Sequence, residues 1–181
     1  MKLAIVLSVL ALPAFPNYAP AEIADSSPTG FTYRTVLTIK APPDAVYRHI
    51  LEVGNWWDSV HTFSGDAHNL SMDARPMGCW CEKLPDGGVR HMEFVLVRPG
   101  KALILSGGLG PLQAIAATGT MKITLAAASG DTKLELTYSL SGYLPAGMNT
   151  LAAPVNDVLS QQLTRLKNYV ETASPVPKKQ E

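Results

Sequence analysis

A long region of alternating apolar and polar residues, followed by one amphipathic helix, is the strongest constraint on the fold of this chain. The alternation runs from about Asp66 to Tyr143 and is interrupted by turn signals such as PDGG and ASGD. In GTMKITLAA, for example, Met121, Ile123 and Leu125 share one face. This pattern predicts a meander of about six antiparallel strands with one solvated face. The apolar face of such a sheet needs a covering element.

The C-terminal segment NTLAAPVNDVLSQQLTRLKNYVETA supplies that cover as one long helix. Its apolar stripe consists of Leu151, Val155, Val158, Leu159, Leu166 and Val170. A proline is tolerated only in the first helical turn, so the regular helix begins as late as Pro154. Upstream, FTYRTVLTIK predicts a strand and APPDAVYRHILEVGNWWDSV predicts two short helices. The sequence therefore predicts an α+β fold, a curved antiparallel sheet wrapped around a long C-terminal helix, with two short helices after the first strand.

The N-terminal residues 1–21 have the pattern of a signal peptide. Lys2 precedes an apolar run from Leu3 to about Phe15, and the small residues Ala19 and Ala21 mark a cleavage site after Ala21. The run is too short to span a bilayer, although a retained anchor is the alternative. We expect a periplasmic or secreted protein with no stable membrane insertion after signal removal. Its predicted parts are an exposed segment 22–30, a domain 31–172 and a disordered tail 173–181.

Charge and motifs exclude several function classes. The chain has 15 basic and 15 acidic residues and no basic run, which argues against a nucleic-acid partner. It has no phosphate-binding glycine loop, dinucleotide fingerprint or nucleophile motif, so we expect no cofactor. The sequence gives no indication of the oligomeric state.

Two cysteines flank a tryptophan in GCWC. Strand alternation places Cys79 and Cys81 on one face, and the spacing predicts no disulfide between them, because the Cβ atoms of such neighbours lie farther apart than about 3.8 Å. A zinc site needs two further ligands, and no Cys-x-x-Cys or paired histidine motif supplies them. We therefore expect no metal and favour two small apolar core residues.

Glu82 and His91 are the first acid–base candidates. If PDGG forms a four-residue loop, Glu82 lies opposite His91 and Cys81 lies opposite Met92. A glutamate beside a histidine suits general acid–base catalysis, but it is also an ordinary cross-strand pair. Because Met92 and Phe94 belong to the more apolar alternation, the pair is predicted to face water, unless a β-bulge switches the faces.

The order of these elements resembles the SRPBCC superfamily. The resemblance covers about residues 31–170 and rests on the proline–helix–tryptophan segment KAPPDAVYRHILEVGNWWDSV, the strand entry Pro99-Gly100-Lys101, and the turn Gly142-Tyr143 before the last helix. This superfamily shares the helix-grip fold and includes START lipid-transfer domains, polyketide cyclase-like proteins, pollen-allergen-type carriers and co-chaperone activators. The pattern specifies fold better than function.

The resemblance implies an apolar cavity between the concave sheet and the C-terminal helix, of a kind that suits a lipid, a polyketide or an aromatic metabolite. Carried over to this sequence, the candidate wall residues are Trp57, Cys81, Met92, Phe94, Leu109, Met121, Leu136, Tyr138, Met148, Leu151 and Val155. The glycine-rich stretch SGGLGPL is interpreted as a bend that places Leu109 and Leu112 at the rim, or as a plain surface loop.

A carrier of a small hydrophobic molecule is the favoured function. The alternative is a cyclase or dehydratase-like enzyme with Glu82, His91 or His61 as acid–base groups and Tyr143 or Tyr138 as a donor; at least two of them must meet in one cavity. An envelope interaction protein would need an exposed apolar patch, which the alternation does not provide. Export argues against a chaperone-activator role, because the ATP-dependent partner of such activators is cytosolic.

Overall fold

The computed structural model describes residues 22–176, so the predicted signal peptide and residues 177–181 lie outside it. The strands are β1 (Glu22–Ser27), β2 (Gly30–Ile39), β3 (Leu70–Met72), β4 (Cys79–Leu84), β5 (Gly87–Arg98), β6 (Ala102–Ser106), β7 (Ala116–Ala128) and β8 (Asp131–Tyr143). The helices are α1 (Pro43–Leu51), α2 (Val53–Trp56) and α3 (Ala152–Thr172). Short 3-10 turns occupy Ser59–His61, Ala67–Asn69, Gly110–Ala114 and Met148–Leu151. None of the helices within residues 22–176 is long and apolar enough to cross a bilayer.

The strands form one eight-stranded antiparallel sheet in the order β1-β2-β8-β7-β6-β5-β4-β3. Helix α3 packs across this sheet and also contacts α1 and α2. The predicted helix-grip architecture is thus confirmed. Sequence-adjacent strands pair along the meander, and the long connection from β2 to β3 carries the two short helices.

The predicted alternation defines the core. Met121, Ile123 and Leu125 of β7 are buried, as are Leu134 and Leu136 of β8. Burial of each such side chain contributes about 1.5–3 kcal/mol, so this shared face holds the sheet against α3. The apolar stripe of α3 faces the same core through Leu159, Leu163 and Leu166.

Strand β1 is not predicted from the sequence. Its side chains are almost all exposed, and the strand is held by backbone pairing with β2 at the sheet edge. An edge strand of this kind needs no apolar alternation, which explains why the pattern misses it. Helix α3 begins at Ala152, and Pro154 therefore falls within its first turn, as required.

The β4–β5 turn is tighter than predicted. Leu84 pairs with Gly87, so the loop contains two residues, Pro85 and Asp86, instead of four. The two glycines of PDGG belong to the start of β5. This difference shifts the register along the whole hairpin.

A β-bulge beside Trp80 shifts the register a second time. The observed pairs are Trp80–Met92, Cys81–Arg90 and Glu82–Val89. The predicted pairings of Glu82 with His91 and of Cys81 with Met92 are therefore wrong. The extra residue in β5 lets the neighbours His91 and Met92 both be buried, although a regular strand would point one of them outward.

Cys79 and Cys81 are joined by a disulfide bond, so the prediction of no disulfide is wrong. Their Cα atoms are 5.4 Å apart, within the range that disulfides accept. A straight strand would separate residues two apart by about 6.6 Å, so β4 is locally compressed between the two cysteines. Both cysteines are only half-buried, on the face opposite Trp80 and Glu82, and so they are not core residues.

Candidate functional site

A cavity of about 410 Å³, here called the outer cavity, opens beside α3. Its walls come from α3, from residues 57–64 (the entrance segment), and from the glycine-rich turn at 109–112. Its lining residues are Trp57, Val60, His61, Thr62, Phe63, Leu109, Gly110, Pro111, Leu112, Tyr138, Leu151, Pro154, Val155, Val158 and Leu159. Most of these side chains are apolar, and the size is that of a small-molecule site.

Polar side chains of α3 fix the start of the entrance segment. The backbone N–H of Asp58 donates to Gln162 Oε1 at 2.8 Å. Arg165 donates from Nε to the Trp56 carbonyl at 2.9 Å, and its guanidinium lies 3.4 Å from the Asp58 carboxylate. These bonds satisfy the Asp58 N–H and the Trp56 carbonyl, which have no partner in a regular helix or strand. One wall of the outer cavity is therefore held directly to the helix.

Tyr138 fixes the opposite wall. Its buried hydroxyl donates to the Gly107 carbonyl at 3.1 Å and accepts from the Leu109 N–H at 2.9 Å. Burial raises the pKa of Tyr138 well above its usual value, against the smaller opposing effect of the Leu109 N–H, so the phenol stays neutral. Leu109 and Leu112 both line the cavity from this turn.

Glu82 and His91 form a buried hydrogen-bonded pair behind the entrance segment. His91 Nε2 lies 3.0 Å from Glu82 Oε2, with 4% and 0% of the two side chains exposed. The prediction that this pair faces water is wrong, because the bulge turns His91 inward. Glu82 Oε1 also accepts the Ser64 N–H at 2.5 Å, and the His91 ring stacks on Phe63 at 6.0 Å. The pair thus holds the end of the entrance segment to the sheet.

The pair is arranged as a carboxylate and a neutral imidazole. Burial alone would raise the pKa of Glu82. Hydrogen bonds from Ser64, from the Phe63 backbone and from His91 have a larger effect in the opposite direction, so the pKa of Glu82 lies below its usual value. Burial lowers the pKa of His91, and the bond to Glu82 only partly opposes this effect. Among the described residues, nothing bonds the buried His91 Nδ1.

Of the five acid–base and donor candidates, His61 and Tyr138 line the outer cavity, and the Tyr138 hydroxyl is already occupied by its bonds to Gly107 and Leu109. Glu82 and His91 meet each other, but neither lines the outer cavity. His61 lines it, is exposed, and has its Nε2 3.2 Å from Gln161 Oε1. Tyr143 is 72% exposed at the end of β8, away from the lining.

The candidate wall residues divide into four groups. Trp57, Leu109, Tyr138, Leu151 and Val155 line the outer cavity. Met121 and Leu136 line a second cavity of about 20 Å³, here called the inner cavity, between the sheet and α3. Met92, Phe94 and Met148 are buried but line neither cavity, and Cys81 lies in the disulfide on the outer face.

Sequence reasoning misses Val60, Thr62 and Phe63 in the cavity wall. They lie in an irregular segment, where no helical or strand periodicity indicates which side chains face inward. Val158 and Leu159 belong to the apolar stripe that the sequence predicts for α3. They border a cavity because the entrance segment lies beside this part of the helix, and the stripe alone does not indicate that position.

Residues 22–176 contain no cluster of three or more His, Cys, Asp or Glu side chains that could hold a metal ion.

The fold and the cavity between sheet and helix define a helix-grip protein. No protein-family model and no curated protein sequence matches the chain. Solved structures do match. A conserved protein of unknown function from Enterococcus faecalis is 21% identical over 89% of this chain and 82% of its own, with a TM-score of 0.61.

Two further similar structures are of named proteins. Aha1 from Colwellia psychrerythraea, solved as a dimer, is 16% identical over 78% of this chain and 96% of its own, with a TM-score of 0.56. Ara h 8.0201 is 14% identical over 78% of this chain and 97% of its own, with a TM-score of 0.54. At these identities the likeness establishes the helix-grip fold alone.

Proposed function

We propose that this chain is an exported SRPBCC-type protein that binds a small hydrophobic molecule in the outer cavity. The observation that carries the proposal is the cavity itself, about 410 Å³ in volume and walled by apolar side chains of α3, the entrance segment and the 109–112 turn. Sites of this size and composition suit lipids, polyketides or aromatic metabolites.

The way the walls are held supports binding. The entrance segment is bonded to α3 through Gln162 and Arg165 and to the sheet through Glu82, and the opposite turn is bonded to Tyr138. Walls fixed before a ligand arrives lose little conformational entropy on binding, which favours affinity.

Export is supported by two independent features. The first 21 residues have the pattern of a cleavable signal peptide. The Cys79–Cys81 disulfide is of a kind that persists in the periplasm or outside the cell and is rare in the cytosol.

A cyclase or dehydratase-like enzyme is the second candidate. The observation that favours it is the buried Glu82–His91 pair, whose His91 ring stacks on Phe63, a residue of the cavity wall. Rotation of the Phe63 side chain, which is 53% exposed, would open the pair to a bound molecule. The neutral imidazole would then act as the base.

Native mass spectrometry of the protein purified from its own cell envelope, followed by denaturing extraction, tests the proposal. We expect a stoichiometric apolar molecule to be released. Titration of the ligand-free protein, refolded after that extraction, with the neutral fluorophore N-phenyl-1-naphthylamine, followed by its fluorescence, should then show one saturable site. A protein that is purified empty but binds the fluorophore favours the enzyme, and absence of any saturable binding contradicts both functions.

A further inference from the structure

Strand β4 carries the Cys79–Cys81 disulfide on one face and two buried side chains on the other. Both cysteines are half-buried on the outer face of the sheet, whereas Trp80 and Glu82 are buried on the inner face. The four residues are consecutive, so a change in the backbone between the cysteines moves Trp80 and Glu82 as well.

Trp80 and Glu82 contact the two ends of the entrance segment. The Trp80 ring packs edge-on against the Trp57 ring, with 5.0 Å between the ring centroids, and Trp57 lines the outer cavity. Glu82 accepts the backbone N–H of Ser64 at the other end of the segment. The position of this cavity wall therefore depends on β4 at two points.

The fold itself does not require the disulfide. Strand β4 is held by backbone pairing with β3 on one side and with β5 on the other, and this pairing does not involve the sulfur atoms. The bond joins residues only two apart in the sequence, so it removes little entropy from the unfolded chain. Strand β3 has three residues and is the last strand at its edge of the sheet. A local change in β4 therefore displaces one short edge strand and leaves the remaining pairing intact.

The disulfide holds β4 in a shortened form. The Cα atoms of the two cysteines are 5.4 Å apart, against about 6.6 Å for residues two apart in a regular strand. Reduction removes this constraint, and the strand then extends by about 1 Å between the cysteines. A displacement of this size exceeds the range of about 0.5 Å over which an N–H···O hydrogen bond keeps its length.

We propose that Cys79–Cys81 is a redox-active disulfide that a dithiol reduces in the folded protein, and that its reduction weakens ligand binding in the outer cavity. This inference rests on the proposed binding function and adds its regulation. One thiolate of the dithiol attacks a cysteine sulfur, the S–S bond breaks, and the other cysteine leaves as a thiolate and takes up a proton. The second thiol then attacks the mixed disulfide and releases the remaining cysteine. The dithiol is thereby oxidised to a disulfide, and the two cysteines are reduced.

The accessibility of the sulfur atoms supports exchange in the folded protein. Exposed disulfides are the labile and regulatory ones, in contrast to buried structural disulfides. In the periplasm or outside the cell the bond stays formed until a dithiol reductant opens it. The oxidised protein is thus the form that holds the ligand, and reduction releases it.

Titration with N-phenyl-1-naphthylamine before and after treatment with dithiothreitol tests the proposal. We expect about fivefold weaker binding after reduction, at the lower end of the usual coupling between two sites. Mass spectrometry after alkylation with iodoacetamide shows whether both thiols have formed in the native protein. The Cys79→Ser/Cys81→Ser variant should bind like the reduced wild type. Its affinity should not respond to dithiothreitol, which controls for an effect of the reductant on the fluorophore.

Thermodynamic linkage supplies a second readout, which a purely structural disulfide would not show. If reduction lowers the affinity about fivefold, the bound fluorophore must make the disulfide about fivefold harder to reduce at equilibrium. Equilibration in mixtures of reduced and oxidised dithiothreitol, with and without saturating fluorophore, measures this shift.

Equal affinities in the two redox states would overturn the redox control and leave the proposed binding function intact. A disulfide that dithiothreitol opens only when the protein unfolds would do the same. If the oxidised protein does not bind the fluorophore, the proposed function fails together with this inference.

Discussion

The Glu82 carboxylate joins the His91 ring to the entrance segment: Oε2 lies 3.0 Å from His91 Nε2, and Oε1 accepts the backbone N–H of Ser64. Both side chains are buried, so neither bond can be replaced by bulk water. One carboxylate therefore connects β4, β5 and a wall of the outer cavity. The position of that wall should depend on this pair.

Replacing the carboxylate tests this dependence on stability. Glu82→Ala leaves the Ser64 N–H and the His91 ring without their acceptor, and we expect the free energy of unfolding to fall by about 2–3 kcal/mol. Urea unfolding followed by tryptophan fluorescence measures it. The neighbouring Lys83 is exposed, and Lys83→Ala should change stability by less than about 0.5 kcal/mol. Equal effects of the two substitutions would contradict the structural role of the pair.

The pair also predicts loss of stability in acid. The pKa of His91 lies below its ordinary value of 6.5 in the folded protein, so the unfolded chain takes up a proton first as the pH falls. Stability from this group is therefore fully present above pH 6.5 and declines below it. Glu82, whose pKa lies below its ordinary 4.5, adds a further decline below about pH 4.5. Urea unfolding between pH 7.5 and about pH 3 should show both declines.

His91→Gln separates the two contributions. It removes the group that titrates first, and we expect the free energy of unfolding to become nearly independent of pH between 7 and 5.5, while the decline at lower pH remains. The exposed His68 provides the matched control for loss of a histidine, because His68→Gln should change the free energy of unfolding at pH 7 by less than about 0.5 kcal/mol. An unchanged profile in the His91 variant would assign the decline to another group.

The regular parts of this fold could be predicted from the sequence. Alternation in β7 and β8 identified the buried face, and the stripe on α3 identified its cover, because both periods follow directly from backbone geometry. Strand β1 could not be predicted in this way, because an exposed edge strand held by backbone pairing has no alternating apolar residues in its sequence.

The environment of the Glu82–His91 pair could not be predicted, because it depends on single-residue differences. PDGG is compatible with a loop of two or four residues, and the structure has two. A bulge of one residue then decides whether His91 faces the core or the solvent. The disulfide depends on a different local deviation, a compression of β4 that brings the Cα atoms of Cys79 and Cys81 to 5.4 Å, and strand periodicity alone does not reveal it.

The Cys79–Cys81 disulfide should contribute only modestly to stability. It closes a very short loop, for which the chain-entropy model gives about 1.5 kcal/mol. We expect dithiothreitol to lower the free energy of unfolding by no more than about 2 kcal/mol and to leave the far-ultraviolet circular dichroism unchanged. The Cys79→Ser/Cys81→Ser variant should match the reduced protein and be insensitive to the reductant. Free thiols in the untreated native protein would contradict the bond.

Filling the outer cavity should weaken ligand binding without unfolding the protein. Val158 lies on α3 and lines the cavity, so the indole of Val158→Trp would occupy the space proposed for the ligand. We expect the affinity for N-phenyl-1-naphthylamine to fall at least about tenfold, a loss of about 1.4 kcal/mol in binding free energy. Thr164 is exposed on the same helix, and Thr164→Trp makes the matched control, with wild-type affinity expected. Equal binding by both variants would place the fluorophore outside this cavity, and a drop with both would indicate damage to α3 rather than occupation of the site.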